Sequence, residues 1–119
     1  MKLEDQVVSL DLAKKLKELG VKQESEFCYF QNDWGCEHGE YKWDLNRCYG
    51  KLPSEDCVSA FTVAELGEML PNTHFNFYKN ADGYLFSHSI KGASVTDPSE
   101  ANARAKMLIH LIEQGIVKP

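Results

Sequence analysis

Two stretches of strict apolar–polar alternation constrain this chain more than any other feature. In EYKWDL, residues 40–45, Tyr41, Trp43 and Leu45 share one parity while Lys42 and Asp44 take the other. In YLFSHSI, residues 84–90, Tyr84, Phe86, His88 and Ile90 line one side. A period of two is the mark of a strand with one buried face. Each stretch follows another run of strand formers, EFCYFQ at 26–31 and HFNFYK at 74–79, where Phe75 and Phe77 alternate against His74, Asn76 and Tyr78. Two hairpins are therefore expected. NADG at 80–83 supplies the second turn, with Gly83 available for a positive φ. The first connection, residues 32–39, is long against the usual roughly two to five residues.

Between and around the hairpins the period changes to that of a helix. Leu12, Ala13, Leu16 and Leu19 fall on one helical face, with Ser9 as N-cap, Asp11 in the first turn and Gly20 as the stop. Thr62 and Glu65 have capping-box spacing ahead of Val63, Leu66, Met69 and Leu70, and Pro71 ends that segment. Near the C-terminus Asp97 reads as a cap, Pro98 as the first helical residue and Glu100 as the partner in a D-x-x-E box. Ala101, Ala105, Leu108, Ile109 and Ile112 line one face of this last helix, and Gly115 stops it. Its small alanines suit a close approach to a sheet. Residues 46–58, with Gly50 and Pro53, read as an irregular link.

The expected order is αββαββα, a single α+β domain over residues 1–119 in which the two hairpins pair into one four-stranded antiparallel sheet covered by helices. The two helix–hairpin halves invite comparison as an internal repeat, without residue-level identity.

The framework residues Leu12, Leu16, Leu19, Gly20, Leu66, Pro71, Ala101, Ala105 and Leu108, in LAKKLKELGV, FTVAELGEMLP and DPSEANARAKMLIHLIEQG, resemble those of small uncharacterised proteins encoded by phages and prophages. The order of elements is similar to that of the phage ABA-sandwich domain, a domain of unknown function. The resemblance covers nearly the whole chain and involves core and cap positions, so it transfers no catalytic or binding residue. It implies an accessory role: inhibiting a host or defence protein, or sequestering a small signalling molecule.

Charge is concentrated in one segment. Residues 24–57 hold eight acids against three bases, and the remainder balances, so this segment accounts for the net charge of −5. It also contains all four cysteines and seven of the thirteen aromatic residues. The basic stripe that phosphate binding requires is missing, so direct nucleic-acid binding is not expected. No apolar run reaches the roughly 18 residues of a membrane span, and the N-terminus lacks the apolar centre of a secretion signal. The expectation is a cytoplasmic protein with reduced thiols.

The stretch NDWGCEHGEYKW, residues 32–43, is the strongest functional candidate. Asp33, Trp34, Glu37, His38, Glu40 and Tyr49 form a candidate partner-binding set, since aromatic anchors within a negative field suit a basic protein partner. The alternative is that Trp34 packs over the hairpin and the acids are a solvated face. Cys36, His38, Cys48 and Cys57 are a candidate zinc set, but the tight Cys-x2–4-Cys pair usual in structural zinc sites is absent. Cys36 with His38 is a candidate thiolate–imidazole pair, with nothing to orient the imidazole. His74, His88 and His110 share no motif and read as structural. No cofactor motif is present, and a non-enzymatic role is expected. Two further expectations are a nucleotide-like ligand in an aromatic pocket between sheet and helix, and a homodimer formed through a sheet edge or through Met107 and Leu111 on the last helix.

Overall fold

In the computed structural model, residues 2–32, 42–48, 57–71, 75–81, 83–88 and 93–119 are described. A short turn of helix, α1 (Leu3–Gln6), leads into α2 (Leu10–Glu18). Strands β1 (Phe27–Asn32), β2 (Lys42–Arg47) and β3 (Cys57–Ser59) follow, then α3 (Val63–Met69). Strands β4 (Phe75–Asn80), β5 (Gly83–His88) and β6 (Ala93–Asp97) precede the long C-terminal helix α4 (Glu100–Glu113).

Both expected hairpins form, but they do not join. The strands build two separate antiparallel sheets of three, ordered β2-β1-β3 and β4-β5-β6. This overturns the single four-stranded sheet, for a specific physical reason. Each hairpin satisfies an open backbone edge with a third strand from its own half of the chain. β3 pairs with β1 through Cys28↔Ser59 and Phe30↔Cys57. β6 pairs with β5 through Phe86↔Val95 and its neighbours. The link expected over 46–58 therefore ends in a strand, one of only three residues and buried throughout. The two sheets also differ in connection: β3 crosses to the far side of β1, whereas β4 to β6 run as a simple meander. That difference argues against a repeat.

Helix signals act locally and most of them hold. Glu65 N–H donates to Thr62 Oγ1 and Thr62 N–H donates back to Glu65 Oε1, closing the capping box at α3. The other Glu65 oxygen accepts from Glu26 N–H at 3.1 Å, so the same carboxylate ties α3 to the start of β1. Gly20 lies just beyond α2 with φ +92 and Gly115 just beyond α4 with φ +74. Ser9 occupies the N-cap position of α2, but its side chain makes no cap bond. Instead its N–H donates to Asn102 Oδ1 at 2.8 Å.

At α4 the expected cap shifts by two residues. Ser99, not Asp97, is the N-cap, and its hydroxyl accepts from Asn102 N–H. Asp97 closes β6 instead, and its carboxylate serves Ser99 N–H and Lys106.

The core lies between α4 and its neighbours. Ala101, Ala103 and Ala105 are fully buried, and α4 packs on β5 and β6 at close range, as its small residues allow. It also packs against α2 and α3. Met107 and Leu111, read in the sequence as apolar surface beyond what one sheet needs, are both fully buried in the core. Leu16, Phe61 and Leu66 complete the centre. Among the described residues, no helix is long and apolar enough to cross a membrane.

Candidate functional site

The first sheet sorts the acidic, aromatic segment by parity. Its register places Tyr29, Trp43, Leu45 and Val58 on one face, and Cys28, Phe30, Asp44, Asn46, Cys57 and Ser59 on the other. Tyr29, Trp43 and Val58 pack on the core. Tyr29 donates its hydroxyl to the Val8 carbonyl at 2.7 Å. Burial, with Glu4 adding to it, holds that phenol above its ordinary value. A phenol committed in this way is a structural donor.

Trp43 is half-buried and lies at the edge strand of its sheet. Lys14 places its ammonium 4.8 Å from the ring centroid, a cation–π distance. Lys17 donates to the Cys57 carbonyl at 2.9 Å. With Glu18 and Val58 these residues line an open cleft of about 380 Å³ between α2 and the sheet. Neither lysine is near Trp43 in sequence. Only the packing of α2 on β3 brings them together.

The described acids of the segment are not among the residues that line that cleft. Glu24, Glu26 and Asp44 are exposed. Glu24 pairs with Lys22 at 3.2 Å and Glu26 with Arg47 at 4.0 Å, contacts that solvent screens heavily. Of the candidate partner-binding set, Asp33, Trp34, Glu37, His38, Glu40 and Tyr49 all lie outside the described residues, as does Cys36.

The cysteines are not the four unrelated reduced thiols expected. A disulfide joins Cys28 to Cys48, whose Cα atoms are 5.6 Å apart, within the range that the bond can span. Cys57 keeps its thiol and is buried. The spacing of 20 residues carries no sign of this pairing. It follows from register: Cys48 lies two residues past Asn46, the partner of Cys28. A sulfur in a disulfide is not a thiolate ligand, so Cys48 does not serve the zinc set in this form. Among the described residues, no group of three His, Cys, Asp or Glu side chains is placed to hold a metal.

Elsewhere, a larger cleft of about 440 Å³ is lined by Asp5, Gln6, Val63, Tyr84, Ser99 and Glu100. Its Glu100 is already paired with Arg104 at 3.0 Å. Compared with family models, curated proteins and solved structures, the chain matches none.

Proposed function

We propose that this chain is a non-catalytic binding protein that engages a basic protein partner through residues 24–57. The observation that carries the reading is the sorting within the first sheet. Tyr29, Trp43 and Val58 are committed to the core, while Glu24, Glu26 and Asp44 face solvent. The described negative charge of the segment therefore lies at the surface of the first sheet, with Glu24 and Glu26 at the end of the hairpin opposite the long first connection. A field of that sign steers a basic partner, and an aromatic such as Trp34 supplies the anchor. Tyr29 and Asp97 each serve contacts that hold elements together. A phage-type accessory role, blocking a host or defence protein, is part of the proposal and rests on the resemblance of the framework residues.

The test is a paired variant, Trp34→Ala with Glu37→Lys. The expected result is loss of partner capture with a melting temperature within a few degrees of wild type. Capture that survives the pair at an unchanged melting temperature overturns the reading. So does loss of folding, which would place these residues in the core.

One observation favours a second reading, a nucleotide-like anion held beside Trp43. Lys14 and Lys17, one helical turn apart on α2, bring two positive charges to that cleft against the one negative charge of Glu18. Native mass spectrometry separates the two. Extra mass of a few hundred daltons, lost on denaturation and absent from Trp43→Ala, supports the ligand reading; a bare chain supports the protein partner.

A further inference from the structure

Three cysteines meet on one face of the first sheet, and their arrangement has a chemical consequence. Cys28 sits on the central strand β1, opposite Asn46 of β2 and Ser59 of β3. Cys48 follows two residues after Asn46, and its N–H donates to the Glu26 carbonyl at 3.0 Å, so it continues the ladder of β2. Cys57 precedes Ser59 by two residues and opposes Phe30. Side chains two apart along a strand share a face, so all three sulfurs belong to the same side of the sheet. Both partners of Cys28 are diagonal neighbours. Because β2 and β3 both run antiparallel to β1 on opposite sides of it, the two diagonals continue one another. Cys48, Cys28 and Cys57 therefore form a single oblique row across the strands.

The first diagonal is bridged, with its Cα atoms 5.6 Å apart. The second has the same sense relative to the twist of the sheet, so Cys57 approaches Cys28 along the diagonal direction that Cys48 takes on the other side. Cys28 and Cys57 are 5% and 8% exposed, while Cys48 is only half-buried.

We propose that Cys28 is a shared sulfur that exchanges its disulfide between Cys48 and Cys57. The Cys57 thiol gives its proton to solvent, and the resulting thiolate attacks Cys28 Sγ from the side away from Cys48. The Cys57–Cys28 bond forms, the Cys28–Cys48 bond breaks, and Cys48 leaves as a thiolate that takes up a proton. The register puts Cys57 and Cys48 on opposite sides of Cys28, so the attacking thiolate and the leaving sulfur stand across the central sulfur from one another. The step is redox-neutral and needs no external oxidant. Its outcome is a change of tether and of thiol. The bond moves from β1–β2 to β1–β3, and the thiol moves from a buried strand to the half-buried end of β2. Residues 49–56 connect these two positions, so exchange changes which end of that connection is tied to the central strand.

The experiment maps disulfides in the whole protein. Wild-type protein held at pH 8 is trapped with N-ethylmaleimide in acidic guanidinium, digested and analysed by mass spectrometry. The expected result is two bridged species, Cys28–Cys48 and Cys28–Cys57, with maleimide on Cys57 in the first and Cys48 in the second. Among Cys28, Cys48 and Cys57, maleimide confined to Cys57 at all times overturns the proposal. A second variant checks it independently. Cys48→Ser, refolded in a glutathione redox buffer, is expected to bridge Cys28 to Cys57 in most molecules. A folded Cys48→Ser protein with Cys28 alkylated, glutathionylated or bridged to Cys36 overturns it. Should that variant fail to fold, the wild-type trapping still decides.

Discussion

Lys106 donates to Asp97 Oδ2 at 2.7 Å across the junction between β6 and α4. The same carboxylate accepts from Ser99 N–H at 2.9 Å through its other oxygen. Asp97 thus holds the strand end to the helix start, and this explains why it is not the helix cap that its position in sequence suggests.

That relationship sets a pH dependence. Burial pushes the Asp97 carboxyl up, but the Lys106 hydrogen bond and charge, with Ser99 N–H and Asn102, outweigh it and hold the group below its ordinary value of 3.8. A carboxylate lowered on folding contributes stability above its unfolded value and loses it as pH falls through the folded one. Lys106 is 41% exposed, so solvent screens the pair and its worth is about 1 kcal/mol. Asp97→Asn is expected to unfold about 1 kcal/mol more easily than wild type at pH 7. The gap should shrink as pH falls below the ordinary carboxylate value of 3.8 and narrow in high salt, as measured by urea titration across pH.

Gly83 opens β5 with φ +132 and lies against the same junction. A Cβ there would stand 2.6 Å from the Asp97 carbonyl oxygen and 2.8 Å from Pro98 Cα. Both obstacles are backbone, so they cannot swing aside. Gly83→Ala is expected to cost about 3–5 kcal/mol, the sum of strain and overpacking. Gly115, at φ +74 with nothing within 4 Å, is the control and should lose only about 1–2 kcal/mol as alanine. Denaturant midpoints of the two variants give the comparison directly.

Asn102 connects three segments. Its Oδ1 accepts from Ser9 N–H at the start of α2, its side chain meets Asp97, and its N–H donates to Ser99 Oγ. Asn102→Ala leaves the partly buried Ser9 N–H without its acceptor. The expected loss is about 2 kcal/mol, and it should appear in hydrogen exchange as faster exchange at Ser9 and the first turn of α2.

Phe61 is fully buried between β3 and α3, and its carbonyl accepts from Val8 N–H at 3.0 Å. Phe61→Ala removes a large side chain from the centre of the core and is expected to cost about 3–5 kcal/mol. Phe61→Leu should cost about half of that, since less volume is lost. Calorimetry of both variants checks the ratio.

Much of the architecture was legible in the residues because it is set locally. The capping box at Thr62 and Glu65, the stops at Gly20 and Gly115, and the alternation around Trp43 depend on neighbours a few positions away. The third strands were not legible. β3 has three residues, too few to display a period, and β6 is the mostly polar ASVTD. What makes them strands is an open backbone edge elsewhere in the chain. The buried state of Met107 and Leu111 was hidden for the same reason, since α2 and α3 as well as the second sheet cover α4.

The candidate sites divide along the same line. That residues 24–57 concentrate the acids, aromatics and cysteines is a property of the sequence alone. The grouping of Lys14 and Lys17 with Trp43, the disulfide of Cys28 with Cys48, and the place of Cys57 in their row belong to the tertiary structure. By itself the sequence determined where helices and hairpins form, because backbone preference, capping and periodicity act over a few residues. Only the tertiary structure decided which edges pair and which sulfurs meet, because strand register joins residues that chain proximity does not.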